Sequence, residues 1–412
     1  MYGFSSCFGI IIQIFILTFL FYLTSKEEAY IVFNWFFCDK ASILLNFLNL
    51  IILLLFFSIK ISTRNYTLLA LLWLDISLMF SRSRLIQLYI FFELRLIPIF
   101  LIIFNRGKQF ERLKAGIYLF FFTLTSSLPL LIVSVYLLDH FKYFRETPTN
   151  LNSKIFILIF IAFIVKLPIF FVHMWLPKAH VEAPIYGSIV LASLILKLGG
   201  LGLIKVIFFS YKFWVRVSQI FISFFIAGAI IAALYCFFQP DLKILIAVSS
   251  VRHMTFLFCG LSTFYSESWS GGLIMIICHG FLSPAMFFIA NSSYIRVNTR
   301  RIYFSKVQFS YYIPMIIFLI YIVNFCVPPS LNFFREILLS ISLVTWSKII
   351  LFPLYIYIIL SIFYSIYIFI FTSKHSGHLI RAKSLSLNEY VVLFFLISFS
   401  FFTPLITRKF MT

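Results

Sequence analysis

Residues 164–200 read IVKLPIFFVHMWLPKAHVEAPIYGSIVLASLILKLGG, and two lysines in this stretch, Lys166 and Lys197, lie inside runs apolar enough to cross a bilayer. An ionisable side chain at the centre of a membrane helix costs about 2.5–3.5 kcal/mol on insertion scales. Residues of this kind mark ion or proton paths by default. The same stretch carries His173, His180, Glu182 and the prolines Pro168, Pro177 and Pro184, so charge and helix-breaking residues are gathered over one turn-back.

The chain around this stretch has the composition of a membrane protein. Its 412 residues are 62% hydrophobic and 11% charged, with a mean hydropathy of +1.06. That leaves too few polar residues to cover a water-facing surface, which excludes a soluble domain. At roughly 20 residues per crossing, about 13 transmembrane helices are expected. They fall near 8–24, 41–59, 67–81, 85–104, 115–138, 155–172, 187–204, 217–238, 244–264, 270–292, 309–343, 349–371 and 388–406. All are read as helices, because an open strand leaves its backbone groups unpaired in hydrocarbon. The fold class is therefore an all-α polytopic membrane protein. The start, MYGFSSCFGIII, has no basic n-region and no small-residue cleavage site, so it is read as the first span rather than a signal peptide.

The net charge of +20 comes mostly from loop lysines and arginines, which suit lipid headgroups. No basic aromatic patch points to nucleic acid. Alternate loops carry nearly equal numbers of cations, so the positive-inside rule does not set the orientation. Cys7, Cys38, Cys236, Cys259, Cys278 and Cys326 stand singly, without metal spacing, and are read as buried free thiols. His375 and His378 lie among cations in a loop and are read as solvated. No glycine-rich phosphate loop, nucleophile elbow or zinc signature is present.

Two spans are interrupted by proline, which removes a backbone donor and clashes with the preceding turn. One is 155–186, with Pro168 and Pro177. The other is 309–343, with Pro328 and Pro329, which is too long for one straight crossing. Matching breaks in two halves point to inverted repeats with a site near the midplane. The expected division is N-terminal helices in 1–66, a first repeat in 67–210, a second in 211–372 and a C-terminal helix in 373–412.

Each charge inside a span has a functional and a bland reading. Glu93 either pairs with Lys166 or is tolerated as a neutral acid. Lys166 and Lys197 are either buried charges or snorkel to the headgroups. His173 follows Lys166 by two turns and shares its face if the helix continues. His253 and His279 lie on neighbouring spans, either as hydrogen-bonded core residues or as a relay leading to Glu336, beyond the second break. His180 and Glu182 are read as structural or as an entrance. Asp75 has no evident partner, and Asp241 and Lys243 are read as a pair at the end of a span.

VKLPIFFVHMWLPKAHVEAP followed by LKLGG, with FFE–LIP upstream and HG downstream, resembles chain 4 of mitochondrial NADH–ubiquinone oxidoreductase, an antiporter-like family in the membrane arm of respiratory complex I. The resemblance runs from about Leu85 to Leu343. It implies two inverted five-helix repeats, each with a broken helix. It also implies proton transfer through Glu93, Lys166, Lys197, His253, His279 and Glu336, supported by His173, His180, Pro168, Pro328 and Pro329. A glutamate at 336, where sibling subunits carry lysine, favours chain 4. The resemblance further implies location in the mitochondrial inner membrane and partners among the other membrane-arm subunits and lipids. No cofactor or metal is expected in this chain; NAD, FMN, Fe–S clusters and ubiquinone are expected in other subunits.

Arg95, Arg252 and Arg335 depart from the family, which has small residues at these places. Two explanations stay open: compensating local pairs, or a mitochondrial codon translated with the wrong code. Mechanistically, a unit pair at about 4 Å is worth roughly 4 kcal/mol at an effective dielectric near 20. The membrane field asks about 2.3 kcal/mol per charge per 100 mV. One opening and closing pair is thus of the right size to move one proton. The rival readings are a stand-alone or Mrp-type cation/proton antiporter subunit and a non-conducting spacer.

Overall fold

In hydrocarbon every backbone amide and carbonyl needs an internal partner, and the long Leu, Ile, Phe and Val runs of this chain meet that need as helices. The computed structural model describes residues 29–33, 36–58, 62–82, 84–105, 110–136, 153–207, 211–302, 312–373 and 387–411. The expected first span at 8–24, Cys7, and the loop histidines at 375 and 378 lie outside the described residues. The exception to helix is an antiparallel hairpin, β1 (Ala29–Phe33) and β2 (Phe36–Asp39), which leads into the bundle.

The helices follow in order: α1 (Lys40–Ser58), α2 (Thr63–Phe80), α3 (Leu85–Leu94), α4 (Leu96–Phe104), α5 (Phe110–Tyr136), α6 (Ser153–Lys166), α7 (Trp175–Glu182) and α8 (Ile185–Val190). A π-helical turn, Leu191–Ile195, joins α8 to α9 (Leu196–Ile207). Then come α10 (Tyr211–Phe237), α11 (Leu242–Leu261), α12 (Ser266–Val297), α13 (Tyr312–Asn324), α14 (Leu331–Trp346), α15 (Leu351–Ser373) and α16 (Leu387–Met411). α3 and α4 form one span interrupted at Arg95, and α8, the π turn and α9 form another. Among the described residues, 7 helices are long and apolar enough to cross a membrane alone, and shorter apolar helices lie at α1, α6, α13 and α16. The expected spans from 41–59 onward each coincide with one of these helices or with a broken pair.

Burial separates the bundle into a centre and a rim. The windows Ile185–Val206, Leu242–Leu261 and Ser266–Arg296 are each 94% buried, against 33–44% for the other spans. On the rim, Ile132, Phe352 and Phe394 face outward, as a lipid-contacting surface requires.

The two broken helices are built alike. α6 stops at Lys166 because Pro168 has no amide to continue the ladder. The chain turns through Phe171, whose φ is 83°, and restarts at Trp175. The Trp175 Nε1 then donates to the Val165 carbonyl at 3.0 Å, satisfying one of the orphan acceptors of the helix end. α13 stops at Asn324, turns through Cys326 at φ 58° and restarts at Leu331. There Asn332 Nδ2 donates to the Val323 carbonyl at 2.6 Å. In both cases a side chain of the restarted helix caps the next-to-last carbonyl of the first half. Pro177, expected as a breaker, instead sits in the first turn of α7, where an amide needs no helical partner. Gly199 on α9 presses against the first break. A Cβ there would lie 2.9 Å from the Leu167 amide nitrogen and 3.0 Å from the Lys166 carbonyl carbon.

Candidate functional site

α6 ends at Lys166 with its side chain 1% exposed, which excludes snorkelling. Its Nζ lies 3.1 Å from Glu93 Oε1 on α3, the pairing read from the sequence. The ammonium also lies 3.1 Å from the centroid of the Phe92 ring, a cation–π contact. Arg95, equally buried, stands 4.4 Å from the same centroid. Asp75 on α2 and Glu93 both lie within electrostatic reach of Arg95, without an ion pair to it among the described residues.

Lys197 sits on the second turn-back rod, just after the π turn. Its Nζ donates to the Ala192 carbonyl at 2.6 Å and meets His279 Nδ1 on α12 at 2.7 Å. π turns recur at functional sites because they redirect backbone groups. Here the carbonyl inside that turn becomes a ligand for a buried ammonium. The glycines of LKLGGLG let α9 approach closely: Gly200 meets Ile276 and Gly202 meets the Phe163 ring. Among the described residues no side-chain hydrogen bond links Lys166 to Lys197, although their helices touch at Gly199.

His279 and His253 follow, with ring centroids 5.7 Å apart. His253 is fully enclosed by polar groups. Arg335 Nη2 reaches its Nδ1 at 3.0 Å, Arg252 Nη2 reaches its Nε2 at 2.8 Å, and Asn324 Oδ1 lies 3.2 Å from Nε2. Arg252 also donates to Tyr364 Oη at 2.9 Å and stacks over Tyr357 and Tyr364. Glu336, in the second turn of α14, is within electrostatic reach of Arg252 and Arg335, and its Oε1 is buried without a partner. Each of the three arginines also keeps guanidinium nitrogens that are buried without a partner: Nε and Nη2 of Arg95, and Nε and Nη1 of Arg252 and of Arg335.

Several expectations need correction. His173 does not share a helix face with Lys166, because the helix stops between them; it stacks on Phe170 at 5.0 Å within the break. The residue ending the first half of the second broken helix is Asn324, and Glu336 lies beyond its break. Lys243 does not pair with Asp241. It is buried, donates to the Ala183 carbonyl at 3.2 Å, and has Glu182, Arg300 and Arg112 as charged neighbours. Asp241 bridges to Arg301 through the backbone. His180 is fully buried, stacks on Phe287 at 4.4 Å, and lies within electrostatic reach of Lys243 and Lys197. It therefore stands between the central row and the ion cluster of Glu182 with Arg112 (3.7 Å) and Arg300 (3.4 Å). Asn324, Tyr364 and Phe92 were missed. An asparagine ending an apolar run just before Pro328 and Pro329 was the available signal for the first; the others carry none.

Among the described residues no group of His, Cys, Asp and Glu could hold a metal. Cys236, Cys259 and Cys278 are buried free thiols and Cys326 is half-buried.

A bundle with two broken helices of like construction, the first ending at a buried lysine and the second packed against buried histidines and arginines, is that of an antiporter-like membrane subunit. The family model described as NADH:quinone oxidoreductase/Mrp antiporter, transmembrane, matches residues 83–363. NADH-ubiquinone oxidoreductase chain 4 of Ceratitis capitata is 38% identical over 327 residues, 77% of this chain and 73% of that one. Its counterpart in Rhipicephalus sanguineus is 34% identical over 380 residues, 90% of this chain and 87% of its own. The chain belongs to the NADH-ubiquinone oxidoreductase chain 4 family. In fold it is similar to a chain of respiratory complex I from Thermus thermophilus, with a TM-score of 0.80 at 22% identity, covering 96% of this chain and 91% of that one. It is also similar to a chain of the Mrp complex from Dietzia sp. DQ12-45-1b, with a TM-score of 0.79 at 13% identity, covering 91% and 82%.

Proposed function

We propose that the chain is a proton-translocating membrane-arm subunit of respiratory complex I in the mitochondrial inner membrane, packed beside other antiporter-like subunits. NAD, FMN, Fe–S clusters and ubiquinone belong to other subunits and supply the driving energy. The observation that carries this reading is the Lys166–Glu93 pair at 3.1 Å, its lysine buried and its acid half-buried, set at the end of a broken half-helix. Closed, the pair holds a proton on Lys166. Opened, it lets that proton pass towards Lys197, His279, His253 and finally Glu336, with water between groups that do not touch. His173 and His180, and the prolines Pro168, Pro328 and Pro329, support the path by shaping the breaks and their surroundings. The working units are 67–210 and 211–372, with 1–66 and 373–412 flanking them. In the order of elements, the broken helix is the fourth of five in each unit.

The direct test replaces Lys166 by alanine in the assembled complex and measures protons moved per NADH oxidised. A loss of this subunit's share is expected; an unchanged yield contradicts the reading. The likeness to an Mrp complex chain supports a second reading, an Mrp-type cation/proton antiporter subunit. Sodium transport by the purified assembly without NADH oxidation would favour it. A non-conducting spacer predicts that neutralising Glu93, Lys166 and Glu336 alters assembly alone.

A further inference from the structure

Opening the Lys166–Glu93 pair raises a problem of its own. The Glu93 carboxylate, 18% exposed, is left without a counter-charge once it leaves the buried Lys166 ammonium. The structure places a second cation within reach of the same acid. Arg95 is 1% exposed, and its one recorded side-chain bond is from Nη1 to the Met79 sulfur at 3.5 Å, a weak acceptor. Its Nε and Nη2 are buried without partners. Glu93 is the complementary case: Oε1 holds Lys166, while Oε2 is buried without a partner. Residues two apart do not face each other on a regular helix. Arg95, however, stands between α3 and α4 with φ −68° and ψ −19°, and its guanidinium reaches back to Phe92 and so to the side of the helix where Lys166 meets Glu93. Phe92 ties the two cations together, with the Lys166 ammonium and the Arg95 guanidinium both in contact with its ring.

We infer that Arg95 is a positioning residue that gives Glu93 a second berth, so that the pair opens by transfer of the carboxylate from Lys166 to Arg95 rather than by withdrawal into an unpaired state. The planar guanidinium can take both oxygens of a carboxylate, which a lysine cannot do. Asp75 holds the charge of Arg95 in balance while Glu93 is on Lys166. Phe92 keeps a favourable face against the ammonium after the acid has left. The inference rests on the proton-translocating reading and adds the partner between which Glu93 alternates.

The test uses the assembled complex in sealed vesicles. Peptide mass spectrometry of the natural chain first fixes residue 95 as arginine; a lighter residue there overturns the proposal. Arg95→Gln is then expected to lower proton yield severalfold, with Arg95→Lys recovering part of it. In a Glu93→Gln background, Arg95→Gln is expected to add no further loss, because the two act through one carboxylate. Additive losses mean a merely structural arginine and overturn the proposal, as does a wild-type yield in Arg95→Gln when Lys166→Ala has abolished pumping. A wild-type yield in Lys166→Ala instead defeats the underlying reading. If Arg95→Gln does not assemble, Asp75→Asn carries the test: a severalfold change in turnover is expected, and wild-type turnover overturns the proposal.

Discussion

The two broken helices share one construction and differ in chemistry. Each ends its first half beside a turn with a positive-φ residue, and each restarts with a side chain that reaches back to the next-to-last carbonyl. At the end of the first half, however, α6 presents Lys166, held by one acid. At the corresponding place α13 presents Asn324, one member of a crowd around His253 with Arg252, Arg335 and Tyr364. A single ion pair has two discrete arrangements, closed and open. A network with many partners has many small rearrangements and no single bond whose loss releases a proton. The first break is therefore suited to gating and the second to conducting or storing charge.

The sharpest way to break this comparison is to remove one partner of the gate. Lys166→Ala leaves the half-buried Glu93 without its cation and is expected to destabilise the subunit by roughly 2–3 kcal/mol, below the cost of breaking a fully buried pair. Lys166→Ala combined with Glu93→Gln should recover most of that stability while pumping stays lost. Thermal unfolding of the detergent-solubilised complex, read beside proton yield, separates the two effects. Asn324→Leu should cost less, towards the low end of the range of about 1–3 kcal/mol for a buried polar group left without its partner, because His253 keeps its arginine neighbours. Equal losses at Lys166 and Asn324 would mean that the breaks work alike.

How much of this was legible beforehand follows from where the information sits. Lys166 and Glu93 stood out because charge inside an apolar run is expensive wherever the rest of the chain goes. Pro168, Pro328 and Pro329 stood out because proline acts on its own backbone. The surroundings of Lys243 and Asp75 did not, since the groups near them lie on other helices and no period in an apolar run says which helix will be the neighbour. His173 was misread because two-turn spacing holds only while a helix continues. Pro177 was misread because the same residue that breaks a helix interior is at home in a first turn.

The construction shared by the breaks is open to a second test. Trp175→Phe leaves the Val165 carbonyl without its indole donor, and Asn332→Leu leaves the Val323 carbonyl without its amide. Each loss of a buried hydrogen bond is expected to cost about 1–3 kcal/mol. Hydrogen exchange of the amides around 165–175 and 323–332 should rise locally in the respective variants. If Trp175→Phe loosens its break and Asn332→Leu does not, the likeness of the two breaks is only one of shape.

The finest distinction concerns how tightly neighbouring helices hold each break. In the first half, Gly199 faces the backbone at Lys166 and Leu167, which cannot rotate away as a side chain can. In the second, Gly271 on α12 faces α14 chiefly through the Leu338 and Leu339 side chains, with the nearest backbone atom, the Leu339 nitrogen, at 3.3 Å. Alanine at 199 must therefore push the two half-helices apart, and overpacking of this kind costs about 1–3 kcal/mol. Alanine at 271 meets the Leu338 Cβ at 3.0 Å, which side-chain rotation cannot move, so α14 must give by a few tenths of an ångström. The helix propensity gained over glycine, worth about 1 kcal/mol, offsets part of this, so the net cost should be smaller than that of Gly199→Ala. Because Gly199 presses where Lys166 meets Glu93, Gly199→Ala should also slow proton delivery in proportion to its loss of stability, whereas Gly271→Ala should leave delivery unchanged. Matched slowing in both variants would place the control of delivery in the bundle as a whole, and the asymmetry between the two breaks would then have no functional weight.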